Sequence, residues 1–89
     1  MAQAVVDPEE LRQFAHSLKK FNAQLRDRAA ALGNQLAALS ASWRDQEHKK
    51  FADEFESNMK MLLRFTETAD EYVPHLIRKA QHIEDYLQS

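Results

Sequence analysis

Ser40-Ala41-Ser42-Trp43-Arg44-Asp45 is the one reversal between two long helical patterns in this 89-residue chain, and it holds the only Trp. Ser42 with Asp45 three residues on has the spacing of a capping box, and Asp45 alone is an equally suitable N-cap. Either starts a new helix within a few residues. Trp43 carries the apolar face of the preceding pattern into the corner, where it can pack toward Phe51. The expected fold is all-α, a two-helix antiparallel hairpin with its turn at about 42–45. No Gly or Pro lies between Gly33 and Pro74, so one continuous helix is the competing reading.

Upstream of the turn, Asp7-Pro8-Glu9-Glu10 is a helix start. Asp7 can accept from first-turn N–H groups, Pro8 has its φ preset for the first helical position, and the glutamates favour the positive helix end. Leu11, Leu18, Leu25, Leu32 and Leu39 follow at seven-residue intervals, with Phe14 and Phe21 between them and Leu36 joining later. This is the packing row of a coiled-coil-like helix spanning about 8–41. Gly33 lies inside the pattern and costs about 1 kcal/mol against Ala at an exposed helical site.

Downstream, Phe55, Leu62, Ala69, Leu76 and Ile83 repeat every seven residues. Phe51, Phe65, Tyr72 and Tyr86 flank this row on one side, and Met59, Leu63, Val73 and Ile77 on the other. At ~100° per residue the apolar face covers about half the helix circumference, more than one neighbouring helix can bury. The surplus predicts that the hairpin dimerises into a four-helix bundle. Pro74 lacks an N–H and crowds the carbonyl four residues back, so the second helix, about 46–87, is expected to kink there; a break near Tyr72 is the alternative. Residues 1–89 make one domain.

Composition narrows the function. One Gly, two Pro and abundant Ala, Leu, Glu, Gln, Lys and Arg favour helix over sheet. A chain of this length buries only about 60% of its unfolded surface and needs support from elsewhere. It has no Cys for disulfides, and its four His are not spaced as ligands, so oligomerisation remains. Twelve basic and fourteen acidic residues are interspersed, without the basic stripe that nucleic-acid phosphates reward. No window approaches the ~18 apolar residues of a membrane span, and Met1 to Val6 lacks the basic and long apolar regions of a signal peptide. His75 and His82 are two turns apart, ~10 Å along a helix, too far to share a mononuclear metal. No nucleophile-base constellation, phosphate loop or zinc-protease motif occurs. No catalytic residue, metal or cofactor is expected, and the chain reads as a non-enzymatic protein.

With both arms in place, the chain resembles the bacterial WXG superfamily, small Esx-like helical hairpins of type VII secretion. Length, absent Cys, two amphipathic arms and a central Trp all fit. The most telling match is Trp43 followed eight residues later by Phe51 and then by Phe55. The turn motif here is Trp43-Arg44-Asp45, with Asp where the family has Gly. Asp tolerates left-handed φ and caps helices well, so the same reversal can be built.

The resemblance implies an exported substrate, partner or carrier, secreted without a cleavable signal peptide. Its expected partner is an identical chain or a paralogous hairpin, with a secretion ATPase or a larger toxin as further candidates. Exported members or their partners carry Tyr-x-x-x-Asp/Glu after the second arm; here Tyr72 meets Leu76 at that spacing, and Tyr86 is too near the end. The alternative is therefore a cytoplasmic adaptor or chaperone covering the apolar face of a toxin or another helical protein. The residues expected to carry core or dimer packing are Leu11, Phe14, Leu18, Phe21, Leu25, Leu32, Leu36 and Leu39 in the first arm. In the second they are Phe51, Phe55, Met59, Leu62, Phe65, Ala69, Tyr72, Leu76 and Ile83.

Overall fold

The computed structural model describes residues 6–88, so most of the Met1–Val6 segment lies outside the described residues. The fold is an antiparallel pair of helices, α1 (Pro8–Leu39) and α2 (Gln46–Gln88). Asp7 is the N-cap of α1: its Oδ1 accepts from the backbone N–H of Glu9 at 2.8 Å and of Glu10 at 3.4 Å, and Pro8 follows in the first turn. Two otherwise orphaned donors are satisfied at the outset.

The end of α1 tightens into three-residue bonds, from Ser40 N to Ala37 O (3.2 Å) and from Ala41 N to Ala38 O (3.3 Å). Such bonds use up the last carbonyls of a helix. Arg44 Nε donates to Ser40 O at 3.3 Å, placing a cation at the negative end of a helix whose last turn has no basic residue. Asp45 Oδ1 then accepts from His48 N at 3.0 Å and opens α2. Ser42 turns the other way, its Oγ donating to Leu39 O at 3.5 Å, so Asp45 is the cap. A single continuous helix is ruled out, because the chain leaves helical geometry between Leu39 and Gln46.

Among the described residues none has positive φ. The turn therefore makes no use of Asp45's tolerance for left-handed backbone; what Asp45 supplies is the cap. Capping by Asp45 is thus how Trp-Arg-Asp builds the reversal without a glycine.

In α2 the seam is a strict alternation of three- and four-residue steps from Ala52 through Phe55, Met59, Leu62 and Thr66 to Ile83, every member buried or half-buried. Unbroken spacing of that kind keeps one stripe against a partner helix. α2 continues through Tyr72 and Pro74 without interruption. In α1 the facing row is Leu11, Ala15, Leu18, Asn22, Leu25 and Ala29, continued by Gly33 and Leu36. Leu11, Leu18, Leu25 and Leu36 lie in this row, whereas Leu32 and Leu39, expected in the same row, are exposed. Phe14 and Phe21 stand one residue to the side, each more than half exposed, while Ala15 and Asn22 beside them are fully buried. Small side chains at alternate seam positions let the two helices approach closely, and the rings are displaced outward.

A polar clamp crosses the seam near its middle. Asn22 Nδ2 donates to Asp70 Oδ1 at 2.8 Å, and Arg26 Nη1 donates to Asp70 Oδ2 at 2.9 Å. Further from the turn, Arg12 Nη2 reaches Glu84 Oε1 at 3.4 Å. These pairs fix the register of α1 on α2. The product is a rod of 66 × 24 × 16 Å with a radius of gyration of 19.9 Å, against ~12 Å for a compact domain of this length.

Candidate interaction surface

The described residues contain no cluster of His, Cys, Asp or Glu able to hold a metal, and none of their helices is long and apolar enough to cross a membrane. What the hairpin offers instead is surface. It exposes 7309 Å², whereas a compact monomer of 10.3 kDa exposes about 5,350 Å² by the usual size scaling. The excess of roughly 2,000 Å² is comparable with the total area that a standard protein–protein interface buries.

That surface is organised by the offset of residues from the seam. Phe65 and Tyr72 each precede a seam residue of α2 by four positions, and with Phe14 and Leu18 of α1 they line a groove of about 380 Å³. Phe51 has the same offset, and Phe21, Leu32 and Leu39 continue Phe14's row on α1 within about 20° of one line at 100° per residue. Apart from half-buried Leu18, these large side chains are exposed. The result is a mainly apolar face extending ~38 Å along α1 at 1.5 Å per residue, interrupted by exposed Arg28 and Asn58, which the single hairpin leaves in water.

The opposite face is different in character. Toward the open end it carries the Arg12–Glu84 and Arg26–Asp70 bridges. Toward the turn it has a groove of about 420 Å³ walled by Ala29, Ala30, Gly33 and Ala37 of α1 and by Ala52, Phe55, Met59 and Leu63 of α2. Hydrogen bonding by Asn22 holds the Asp70 carboxyl below the ordinary carboxylate range, helped by Arg26 and by the charge of Lys19 and opposed by desolvation. Asp70 is thus a committed anion bridging two α1 side chains.

Trp43 sits half-buried at the corner. Its ring meets His48 edge-on at 4.9 Å between centroids and lies tilted against Phe51 at 6.3 Å, while Phe51 in turn meets Phe55 at 6.1 Å. The aromatic chain ties the turn to the first two turns of α2, as the eight-residue spacing from Trp43 to Phe51 suggests.

The packing residues expected from the sequence fall into two sets. Leu11, Leu18, Leu25, Leu36, Phe55, Met59, Leu62, Ala69, Leu76 and Ile83 lie along the seam within the hairpin, buried or half-buried. Phe14, Phe21, Leu32, Leu39, Phe51, Phe65 and Tyr72 form the exposed face. Asn22, Arg26, Thr66 and Asp70 were missed. The spacing of Asn22 and Arg26, four apart in α1, is a signal for a shared carboxylate partner, although nothing in it names Asp70.

The fold is thus a two-helix hairpin that leaves large apolar side chains of both helices exposed on one side. The family model of WXG100, proteins of 100 residues with WXG, matches residues 3–89, and the chain belongs to that family. The match holds although Asp45 occupies the motif's Gly position. No curated protein and no solved structure matches the chain. WXG100 proteins are non-enzymatic, are secreted through type VII systems and typically dimerise.

Proposed function

We propose that this hairpin works in a type VII-like secretion pathway as an exported substrate, partner or carrier, and that it does so as a four-helix bundle formed with a second helical hairpin. The exposed face from Phe14 to Leu39 on α1 and from Phe51 to Tyr72 on α2 carries this reading. It is mainly apolar and extends ~38 Å along α1 at 1.5 Å per residue, which is what a second hairpin buries and what a small ligand does not require. A secretion ATPase or a larger toxin is then a contact of the assembled bundle. Sedimentation equilibrium at micromolar concentration tests the assembly, and a well-folded monomer with no partner hairpin sinks it. Comparing culture supernatant with cell lysate tests export.

One observation favours a second reading, an intracellular adaptor or chaperone that lends the same face to a toxin. Tyr72 is followed at the Tyr-x-x-x-Asp/Glu spacing by Leu76, so α2 does not supply the export signal there. Retention in the lysate, together with co-purification of a larger helical protein, supports this reading against the first.

A further inference from the structure

The reversal departs from helix over very few residues. Ser40 lies in the right-handed helical region at φ −64° and ψ −14°, and Trp43 N donates to Leu39 O at 2.7 Å, the ordinary four-residue bond of an α-helix. Only Trp43, Arg44 and Asp45 stand outside both the helices and the hydrogen-bonded turn. No described residue accepts from the backbone N–H of Arg44 or Asp45, which in an unbroken helix would donate to Ser40 O and Ala41 O. Residues 34–73 contain neither Gly nor Pro, and no described residue has positive φ, so nothing in the turn is committed to reversal by its backbone.

What closes the hairpin at the turn is a small set of contacts: Trp43 against His48 and Phe51, the Asp45 cap on His48 N, and Arg44 Nε on Ser40 O. The seam is a separate matter. Its polar bonds, Asn22 and Arg26 to Asp70 and Arg12 to Glu84, join residues at least 44 apart in sequence and require two arms, not two arms of one chain. The side chains it buries completely are small or polar, Ala15, Asn22, Thr66 and Ala80, so no large interlocked core holds the arms of one chain together.

We infer that the turn is a hinge for arm exchange: two copies of this chain straighten through Trp43–Asp45, and α1 of each packs on α2 of the other with every seam contact kept. The exchanged surface is the seam and not the outward face, so this goes beyond the bundle reading and stands independently of it. At low concentration the two arms of one chain find each other first, since the short turn keeps their effective concentration high; concentrated refolding favours exchange.

The chain has no Cys, so thiols placed at Arg12 and Glu84, whose side chains bridge the seam at 3.4 Å, report which chain supplies each arm. Both positions lie on the side away from the Phe14–Tyr72 face, so pairing through that face cannot join them. Chains carrying Arg12→Cys and chains carrying Glu84→Cys are unfolded together in urea, refolded together at millimolar or at low micromolar concentration, and treated with a short bismaleimide. The double variant, cross-linked within one dilute chain, calibrates the reach, and circular dichroism confirms that each variant is helical. A link between the two variants is expected after concentrated refolding and its loss after dilute refolding. Small-angle scattering of the concentrated dimer should give a maximum dimension of about 120 Å, the helical length from Pro8 to Gln88 at 1.5 Å per residue, against 66 Å for the hairpin. Arg44→Pro bars an unbroken helix through position 44 and removes an N–H that the hairpin does not use, so it should abolish the inter-chain product and leave the dilute hairpin helical. A dimer that forms without that product overturns the exchange and leaves the outward-face bundle standing. A monomer at every concentration, or an undiminished product in Arg44→Pro, overturns the hinge.

Discussion

Replacing Gly33 with Ala should stabilise the hairpin. Gly33 lies six residues before the end of α1, and among the described residues no glycine has positive φ, so its backbone needs none of the freedom that only glycine has. A Cβ built there meets nothing nearer than Phe55 Cε1 at 4.0 Å, an ordinary van der Waals contact. With neither strain nor clash to offset it, the full helix-propensity difference should appear, about 0.8–1 kcal/mol. For a domain of 60–100 residues that corresponds to a rise in Tm of about 4–8 °C. The added methyl also partly fills the groove beside Phe55, so any packing contribution has the same sign. Thermal unfolding followed by circular dichroism, with wild type and variant at one chain concentration, is the appropriate assay, since association raises Tm by mass action. Position 33 is in the groove opposite the Phe14–Phe65 face, so self-association should be unchanged. A fall in Tm would refute the argument, because it would mean that a backbone or side chain approaches position 33 more closely than the hairpin alone shows.

Four further outcomes follow from particular contacts. Trp43→Ala should cost about 2 kcal/mol, below the 3–5 typical of fully buried rings, because Trp43 is only half-buried against His48 and Phe51; an unchanged urea midpoint would mean the aromatic corner contributes nothing. Asp45→Ala should lose about 1 kcal/mol through the missing cap to His48 N, and Asp45→Gly, which restores the family's motif, should bring no gain over wild type, since the turn uses no left-handed residue; a more stable Gly variant contradicts this. Asp70 is held below the ordinary carboxylate pKa in the folded chain, so its contribution is fully present above the unfolded value of about 3.9 and is lost as pH falls through the folded one. Unfolding of wild type and Asp70→Asn from pH 7 down to 2 should therefore converge at the acid end, and parallel curves argue against the clamp. Asn22→Leu should destabilise by about 1–2 kcal/mol, because the charge-assisted bond to Asp70 Oδ1 is lost and Asp70 keeps only Arg26; an unchanged midpoint in chemical denaturation contradicts that account.

The turn, the caps and the α2 seam were legible because each depends on residues close together in sequence. Asp7-Pro8 and Asp45 state their own roles, and a period of three and four residues is visible without knowing what lies opposite. The seam of α1 was only half legible. Phe14 and Ala15, like Phe21 and Asn22, are adjacent, and hydrophobicity chooses the rings for the interior. The structure buries Ala15 and Asn22 instead. The choice is made by α2: Asn22 faces Thr66 and Asp70, and the Arg12–Glu84 and Arg26–Asp70 pairs set Ala15 level with buried Ala80, where the helices approach closely and leave no room for a ring. No property of α1 alone records this. Asn22 is tolerated there because Asp70 and the carbonyl of Thr66 take its amide protons, a partnership that spans more than forty residues.

The same inversion bears on function. A helix that buries an asparagine and exposes the phenylalanine beside it, and does so twice in succession with Ala15 and Phe14, is in local conflict when considered as part of an isolated hairpin. Natural sequences resolve such conflicts at sites where something else is bound. Here the resolution is geometric. The small residues are spent on the approach of α2 to α1, and the large ones are left exposed, free for the second layer proposed above. The seam is polar at its centre and fixes register through Asn22, Arg26 and Asp70, while the outward face carries the large apolar side chains. If this division is correct, charging the outward face should separate the two layers: Phe65→Glu should abolish association in sedimentation and leave a helical hairpin with the seam intact. A variant that lost its helix together with its partner would show instead that the two layers are one cooperative unit, and that the hairpin does not exist apart from the bundle.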